Sequence, residues 1–334
     1  MSRVYDVHAH VVPEALVGLI RADGHRFGIE LVEGEKGLAV VFNGRVTAGP
    51  LRAALTDRGP RLESMDAAGI DVQVLASWVD MTGYALEGPS AAGYSRRLNE
   101  IIAEEAAIAP DRFLAMGTVP LQAPEAAAEE LDYLVRNLGM VGVEIATTVD
   151  GVDLDQAELD PFWAKAEELA CLVLIHPYQP LGGIELRNHM DNMVGRPAET
   201  TVAIGNLMLS GVFDRFPGLQ IVLVHGGGFL PFQLGRLEHG FRAMPHLAAR
   251  HATRSPAEIA SGILYDTVLH SPTAIAALIS LVGADRVVLG SDYPFEMGDL
   301  DPLTTLRATP GVGPDELKMI TETNLLSVID AIER

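Results

Sequence analysis

Five polar side chains stand where chemistry could concentrate. The segment Asp6-Val7-His8-Ala9-His10 sets two imidazoles two residues apart, a spacing that puts both on one face of an extended strand. Further along, His176, His225 and Asp292 each stand at or just past the end of a short apolar run. Imidazole nitrogens with a carboxylate oxygen are the donor set of a catalytic divalent site, with zinc the first expectation and manganese or another divalent metal the alternative. Any one of these residues alone is more simply a hydrogen-bonded core histidine or a capping aspartate. Their joint placement argues otherwise: of ten histidines, four fall at strand ends, while His25, His239, His246 and His251 scatter elsewhere. We assign His8, His10, His176 and Asp292 to the metal, one ion per subunit, with a coordination position kept for water or substrate. His225 is left for proton transfer with Asp292 beside it, because a neutral imidazole titrates in the range to which a metal lowers the pKa of its bound water.

Such residues must be positioned by a repeating scaffold. Apolar, β-branched runs recur at Val4–His8, Val72–Ser77, Phe113–Val119, Val141–Ala146, Leu172–His176, Ile221–His225, Ile263–Val268 and Val287–Ser291. Between them lie segments of helical spacing, among them Tyr94–Ala109, Pro124–Leu138, Leu159–Ala170, Ala198–Asp214 and Thr273–Val282. Strands that are apolar throughout and alternate with helices imply a parallel sheet covered by helices, and eight units imply a distorted (β/α)8 barrel, with a doubly wound open sheet as the other solution. In a barrel the C-terminal strand ends share one rim, which is where the five residues fall. One stretch breaks the rhythm. From about residue 14 to 60 the chain alternates and carries an Asn43-Gly44 turn signal, which reads as a small β-rich insertion after the first strand of a single domain spanning 1–334. Asp315–Arg334 reads as a terminal helix packed on the barrel.

Composition narrows the partners. Against 24 Lys and Arg stand 45 Asp and Glu, a formal charge of −21, which repels a phosphate backbone and excludes general nucleic-acid binding. Cys171 is the only cysteine, so no internal disulfide or thiolate metal cluster can form, and a reducing cytoplasm fits best. No uncharged run approaches the roughly 18 residues of a membrane span, and the first residues lack the apolar core of a signal peptide.

The chain resembles the amidohydrolase superfamily, and within it the aminocarboxymuconate semialdehyde decarboxylase branch. The phrases that carry the resemblance are Asp6-Val-His-Ala-His10, the stretch from Arg61 to Asp71, Ile175-His-Pro177, Pro197-Ala-Glu-Thr200, His225-Gly-Gly-Gly228, Gly235-Arg236 and Leu289-Gly-Ser-Asp-Tyr-Pro-Phe295. The resemblance implies one zinc on His8, His10, His176 and Asp292, and His225 as acid/base. It further implies Phe295 in the pocket and a homodimer in which Arg236 reaches the neighbouring subunit's site to hold a substrate carboxylate. The matching chemistry is oxygen-independent loss of CO2 from an unsaturated carboxylate, dienoic or aromatic.

Departures from the family pattern bear on the substrate. Where the family has a carboxylate-binding arginine in the insertion, an ungapped count places Gly49, with Arg52 and Arg45 displaced nearby; Arg52 is taken with Arg236 as a candidate anchor, because guanidinium holds carboxylate in a bidentate fork. The family's His-Pro-Trp-Asp reads His176-Pro-Tyr178-Gln179, and a pocket tryptophan aligns with His189, so Tyr178 and His189 are candidate substrate contacts for a different acid. Glu144 reads as a partly buried, paired glutamate, and Asp266 and His270 as caps first or as partners that orient a metal ligand. Trp78, Met81 and Tyr84 fit either the mouth or the core. The competing functions are a hydrolase or hydratase of a lactone, amide or conjugated acid on the same ligands, and a non-catalytic binding protein.

Overall fold

Eight parallel strands wind in sequence order around one axis in the computed structural model, which describes residues 3–178, 187–248 and 251–333. They are β1 (Tyr5–Val11), β2 (Val72–Ser77), β3 (Phe113–Gly117), β4 (Gly142–Ala146), β5 (Leu172–His176), β6 (Gln220–Leu223), β7 (Leu264–Asp266) and β8 (Val287–Val288). Each pairs in parallel with the next. The seam between β8 and β1 is closed by backbone bonds just beyond β8: Val7 N–H to Leu289 O at 3.0 Å, Asp292 N–H to His8 O at 2.8 Å and His10 N–H to Tyr293 O at 2.7 Å. Sequential order with a closed seam is a (β/α)8 barrel and excludes the open sheet.

The strands read as continuous apolar runs because both of their faces are covered. Val143 and Ile145 of β4 and Leu172, Val173, Leu174 and Ile175 of β5 have no exposed surface, and each such side chain contributes about 1.5–3 kcal/mol of burial. The outer helices present one apolar stripe each. Pro124–Arg136, for instance, buries Ala127, Leu131, Leu134 and Val135, the i, i+4, i+7, i+8 positions of one face.

Between β1 and β2 the chain makes its excursion. A helix, Glu14–Asp23, is followed by a three-stranded antiparallel sheet of Ile29–Gly34, Gly37–Phe42 and Arg45–Ala48. Its second hairpin turns on Asn43 and Gly44, at φ 46° and 76°, the doubly left-handed turn that suits twisted strands. The chain returns through Arg52 to a short helix, Ala53–Thr56, held to the end of β1 by Val12 N–H to Leu55 O.

The C-terminal stretch is helical and packed on the barrel as expected, with a π segment inside it. It is Pro314–Lys318, a π turn over Met319–Thr323, and Asn324–Ile329, with Arg334 outside the described residues. Docking on the barrel seam interrupts it: Leu289 N–H bonds Ile320 O, and Asn324 Nδ2 bonds the carbonyls of Val287 and Ala284. No described helix is long and apolar enough to cross a membrane.

Candidate metal centre and active site

β1 carries His8 and His10 on one face, and His176 ends β5. Asp292 lies four residues beyond the last residue of β8, in a left-handed backbone conformation at φ 57°. One ligand atom from each of these four buried residues falls within 4.8 Å of the others. His8 Nε2 and His10 Nε2 are 3.1 Å apart, and Asp292 Oδ1 is 3.0 Å from the latter and 3.3 Å from the former.

The tautomers point the donor lone pairs inward. His176 Nδ1 faces the Pro177 carbonyl at 2.8 Å, and a carbonyl can only accept, so this nitrogen carries the proton. His176 Nε2 is then a bare donor, and it is buried with no hydrogen-bond partner. His8 Nδ1 donates in the same way to Asp266 Oδ2 at 2.7 Å. Burial and the neighbouring His10, His225 and His8 rings hold His176 well below the imidazole norm, in the neutral form a ligand needs. Burial works against the charges of His8 and Asp292 too. Yet Asp292 and Asp266 draw His8 well above its norm, while His8 and the hydrogen-bonded histidines hold Asp292 well below the carboxylate range. The net field is negative and the donors converge, so the four residues fit a divalent cation, which competes with protons for those rings.

His225 sits where the main chain bends. β6 stops at Leu223, two residues short of the expected end, and His225 starts a tight turn, His225–Gly227, at φ 54°. A left-handed non-glycine residue costs about 1–3 kcal/mol and persists only where its surroundings impose it. Asp266 imposes it here: Oδ1 accepts from Gly226 N–H at 2.8 Å and Val268 N–H at 3.1 Å while Oδ2 holds His8. Asp266 therefore caps, the role favoured for it, and also fixes a metal ligand, the other role open to it. The turn closes with Gly228, where a Cβ would lie 2.2 Å from Pro197 O, so only glycine fits. His225 Nε2 stands 3.5 Å from Asp292 Oδ2, its Nδ1 has no hydrogen-bond partner, and its side chain keeps 18% of its surface open.

Two further buried groups support the centre. Glu144 on β4, expected to be partly buried and paired, is 1% exposed with both carboxylate oxygens lacking a hydrogen bond, and Oε2 is 3.5 Å from His10 Nδ1. Burial pushes its carboxyl up to about 7 against the pull of His10 and His8. Behind β1, Arg61 donates to His10 O at 2.5 Å and to Gln73 Oε1 at 2.7 Å, Gln73 Nε2 to Asp6 Oδ2 at 2.8 Å, and Ser291 Oγ to the same Asp6 oxygen at 2.5 Å. This chain of bonds crosses the seam and fixes β1 relative to Asp292. Arg61 is 2% exposed, and burial lowers its pKa to about 10.

The centre opens into a cavity of about 730 Å³ that His176, His225 and Asp292 help to line. Trp78 and Phe295 pack in its wall with ring centroids 5.3 Å apart and planes tilted by 55°, and Phe295 lies 5.3 Å from the His10 ring. Arg52, His189 and His270 also line it. Tyr178 does not: it is half-buried against the core and its backbone N–H bonds Glu199. Gln179 lies outside the described residues. Met81 and Tyr84 are core, with 0% and 5% exposure. Arg236 is exposed on the helix Leu230–Ala243, away from this protomer's cavity. Sequence reasoning missed Arg196, which lines the wall; the proline directly after it in a helical stretch was the available signal.

The geometry can be set beside known proteins. The amidohydrolase family model matches residues 5–324. A 2-amino-3-carboxymuconate-6-semialdehyde decarboxylase of Dictyostelium discoideum is 32% identical over 298 residues, 89% of this chain and 83% of that protein. A gamma-resorcylate decarboxylase of Rhodococcus jostii is 34% identical, covering 74% of this chain and 80% of its own. The crystal structure of a 2,6-dihydroxybenzoate decarboxylase from Rhizobium superposes with a TM-score of 0.79 at 28% identity, covering 99% of both chains. With four convergent ligands at the C-terminal rim of a closed barrel and a match over nearly its whole length, this chain belongs to the amidohydrolase family.

Proposed function

We propose that this protein is a metal-dependent, non-oxidative decarboxylase of an unsaturated carboxylate, aromatic or dienoic. The observation that carries the reading is the juxtaposition of a converging His8, His10, His176 and Asp292 set with a fifth group, His225, that is partly open to the cavity and 3.5 Å from Asp292. The named decarboxylases among its relatives support the same reading. Those four residues would hold a divalent ion, zinc first and manganese next on donor type, and the ion would polarise substrate oxygens as a Lewis acid.

The protein's own groups supply the rest. Trp78 and Phe295 offer flat apolar faces to a conjugated substrate and keep water from it, which favours neutral CO2 over the hydrated carboxylate. As the carbon–carboxyl bond breaks, its electron pair enters the conjugated system, and the imidazolium of His225 delivers a proton to the carbon that lost CO2. Asp292 steadies that imidazolium, as a carboxylate beside a histidine does in general acid–base catalysis. Atoms balance with one proton taken up for each CO2 released.

Arg236 of a second protomer is assigned a share in holding the substrate carboxylate. Its exposure, and that of the cavity-lining Phe229 and Phe232 at 39% and 48%, supports a homodimer built on this helix. Cys171 is buried, with its thiol pushed up to about 12 by burial, consistent with an inert thiol in a reducing cytoplasm. The test is headspace CO2 from metal-reconstituted protein given 2,6-dihydroxybenzoate and related conjugated acids, before and after chelation. CO2 that disappears with chelator and returns with zinc or manganese is expected. Hydrolysis of a lactone or amide with no CO2 from any acid would overturn the reading in favour of a hydrolase.

A further inference from the structure

The guanidinium groups near the cavity are not equivalent. Arg52 is committed, its Nη1 donating to Glu296 Oε1 at 2.9 Å. Arg236 lies outside this protomer's cavity wall. Arg196 lines the wall, is half-buried and, among the described residues, forms no ion pair. Its hydrogen bond runs from Nη1 to the Pro177 carbonyl at 2.8 Å. That same carbonyl takes the Nδ1 proton of His176 at 2.8 Å, so the guanidinium stands one carbonyl oxygen away from a ligand of the metal centre.

The local backbone explains how a charged residue came to face inward. Pro197 has no N–H to give, and the helix before it widens into a π turn over Asp191–Gly195, with Arg196 N–H reaching back to Asp191 O. Such widened turns recur at functional sites. Here the turn carries polar side chains into the wall, where Asn188, His189 and Asn192 join Arg196. An acid that feels Arg196 is Asp80, half-buried, with Oδ2 lacking a hydrogen bond. Burial pushes its carboxyl up to about 6 and the arginine partly restrains that, but no hydrogen bond or contact ion pair joins the two, and the guanidinium's bond goes to Pro177 O instead. A half-buried guanidinium with donors to spare, in a cavity and short of an anion, is stabilised by binding one.

We propose that Arg196 is an anion anchor of the cavity, holding a carboxylate of the substrate within the same protomer that supplies the metal ligands. This deepens the decarboxylase reading and rests on it for the identity of the ligand as an acid. A dimer partner's arginine can add to this anchor, but the site recognises an anion without it.

The experiment uses metal-loaded protein and a matched pair of probes, benzoate and its uncharged analogue benzamide, titrated calorimetrically; neither has the hydroxyl group that would activate the ring for decarboxylation. Wild type should prefer benzoate. Arg196→Gln, which keeps a donor for Pro177 O, should weaken benzoate by about 10- to 100-fold, the worth of a charge-assisted hydrogen bond. Benzamide affinity and metal content should stay unchanged, and Arg196→Lys should recover part of the preference. No benzoate preference in wild type, an unchanged preference in Arg196→Gln, or an equal loss of both probes together with metal would overturn the anchor; the last would make Arg196 only a brace for His176. Failure of the decarboxylase reading shows separately: an Arg196-dependent benzoate preference in a protein that releases CO2 from no acid leaves the anchor standing and removes the reaction.

Discussion

Asp266→Asn should cripple the metal site without touching a ligand. Three donors converge on this carboxylate, Gly226 N–H and Val268 N–H on Oδ1 and His8 Nδ1 on Oδ2. An asparagine there has one acceptor and one NH2. If its oxygen serves the two backbone groups, its NH2 faces His8 and forces that ring to accept at Nδ1, which moves the ring proton to Nε2 and removes the lone pair from the metal. If the amide turns over, its NH2 meets two backbone N–H groups that then lack a partner. Either way His8 loses its fixed tautomer, and loss of such a partner lowers metal affinity by about 10- to 100-fold, or about 1.4–2.7 kcal/mol. Glu144→Gln is the internal control. Its oxygen is 3.5 Å from His10 Nδ1 and makes no hydrogen bond, so the pair is worth about 0.5 kcal/mol and the affinity should move by about two- to threefold. Competition against a chromophoric chelator of known affinity, with unfolding of the metal-free proteins measured alongside, reads both. Metal affinity of Asp266→Asn within about twofold of wild type, or a larger loss in Glu144→Gln than in Asp266→Asn, would refute the tautomer argument.

Other outcomes follow from the same geometry. His225→Ala should keep its metal and lose turnover by about 10²- to 10⁴-fold, whereas His176→Ala and Asp292→Ala should lose both; metal analysis that finds His225→Ala stripped contradicts the division of roles. Mixing Arg236→Ala chains with His225→Ala chains should restore part of the activity, because one of the two sites in a mixed dimer would be complete; verified heterodimers without activity would remove Arg236 from the partner's site. Asp80→Asn tests the half-buried acid beside the cavity's arginine. The raised folded-state pKa means that Asp80 contributes stability fully present below 3.8 and lost as pH rises through about 6, so unfolding free energies of variant and wild type should diverge in the variant's favour by about 2–3 kcal/mol between pH 4 and 8. A difference independent of pH would show that Asp80 is ionised in the folded protein throughout that range.

Much of the barrel was legible because its strands are buried on both faces. A run such as Leu172-Val-Leu-Ile175 has no polar alternation and no room to be a helix of ordinary length, and it became β5 with the expected bounds. The candidate ligands were legible for a related reason: a histidine or aspartate at the end of such a run is costly unless something binds it. β8 was less legible. Five residues were expected and two are strand, because the seam is closed by residues 289–293 in an irregular path. Gly290 is part of that path, with a Cβ there falling 3.1 Å from the His8 Cβ and 3.0 Å from Asp266. A pattern of apolar residues carries no trace of such a close approach.

The acids whose partners the sequence does not name share one property, that those partners are set by register between distant strands. Asp266 meets His8 across 258 positions of sequence, and Glu144 meets His10 only because β1 and β4 face each other across the barrel interior. Both acids look like ordinary strand residues until the cylinder closes. Closure also ties the chemistry to the fold. The bonds from Ser291 to Asp6 and from Asp292 N–H to His8 O shut the seam, and with the bond from Arg61 to His10 O they aim three of the four ligands. His225 and Asp292, the two left-handed residues of the centre, sit at the ends of this framework. The strain at Asp292 is held by bonds that form only when β8 reaches β1, and that at His225 by Asp266 on β7, so the metal centre cannot be assembled before the barrel is, and a substitution that loosens the seam must loosen the ligand set with it.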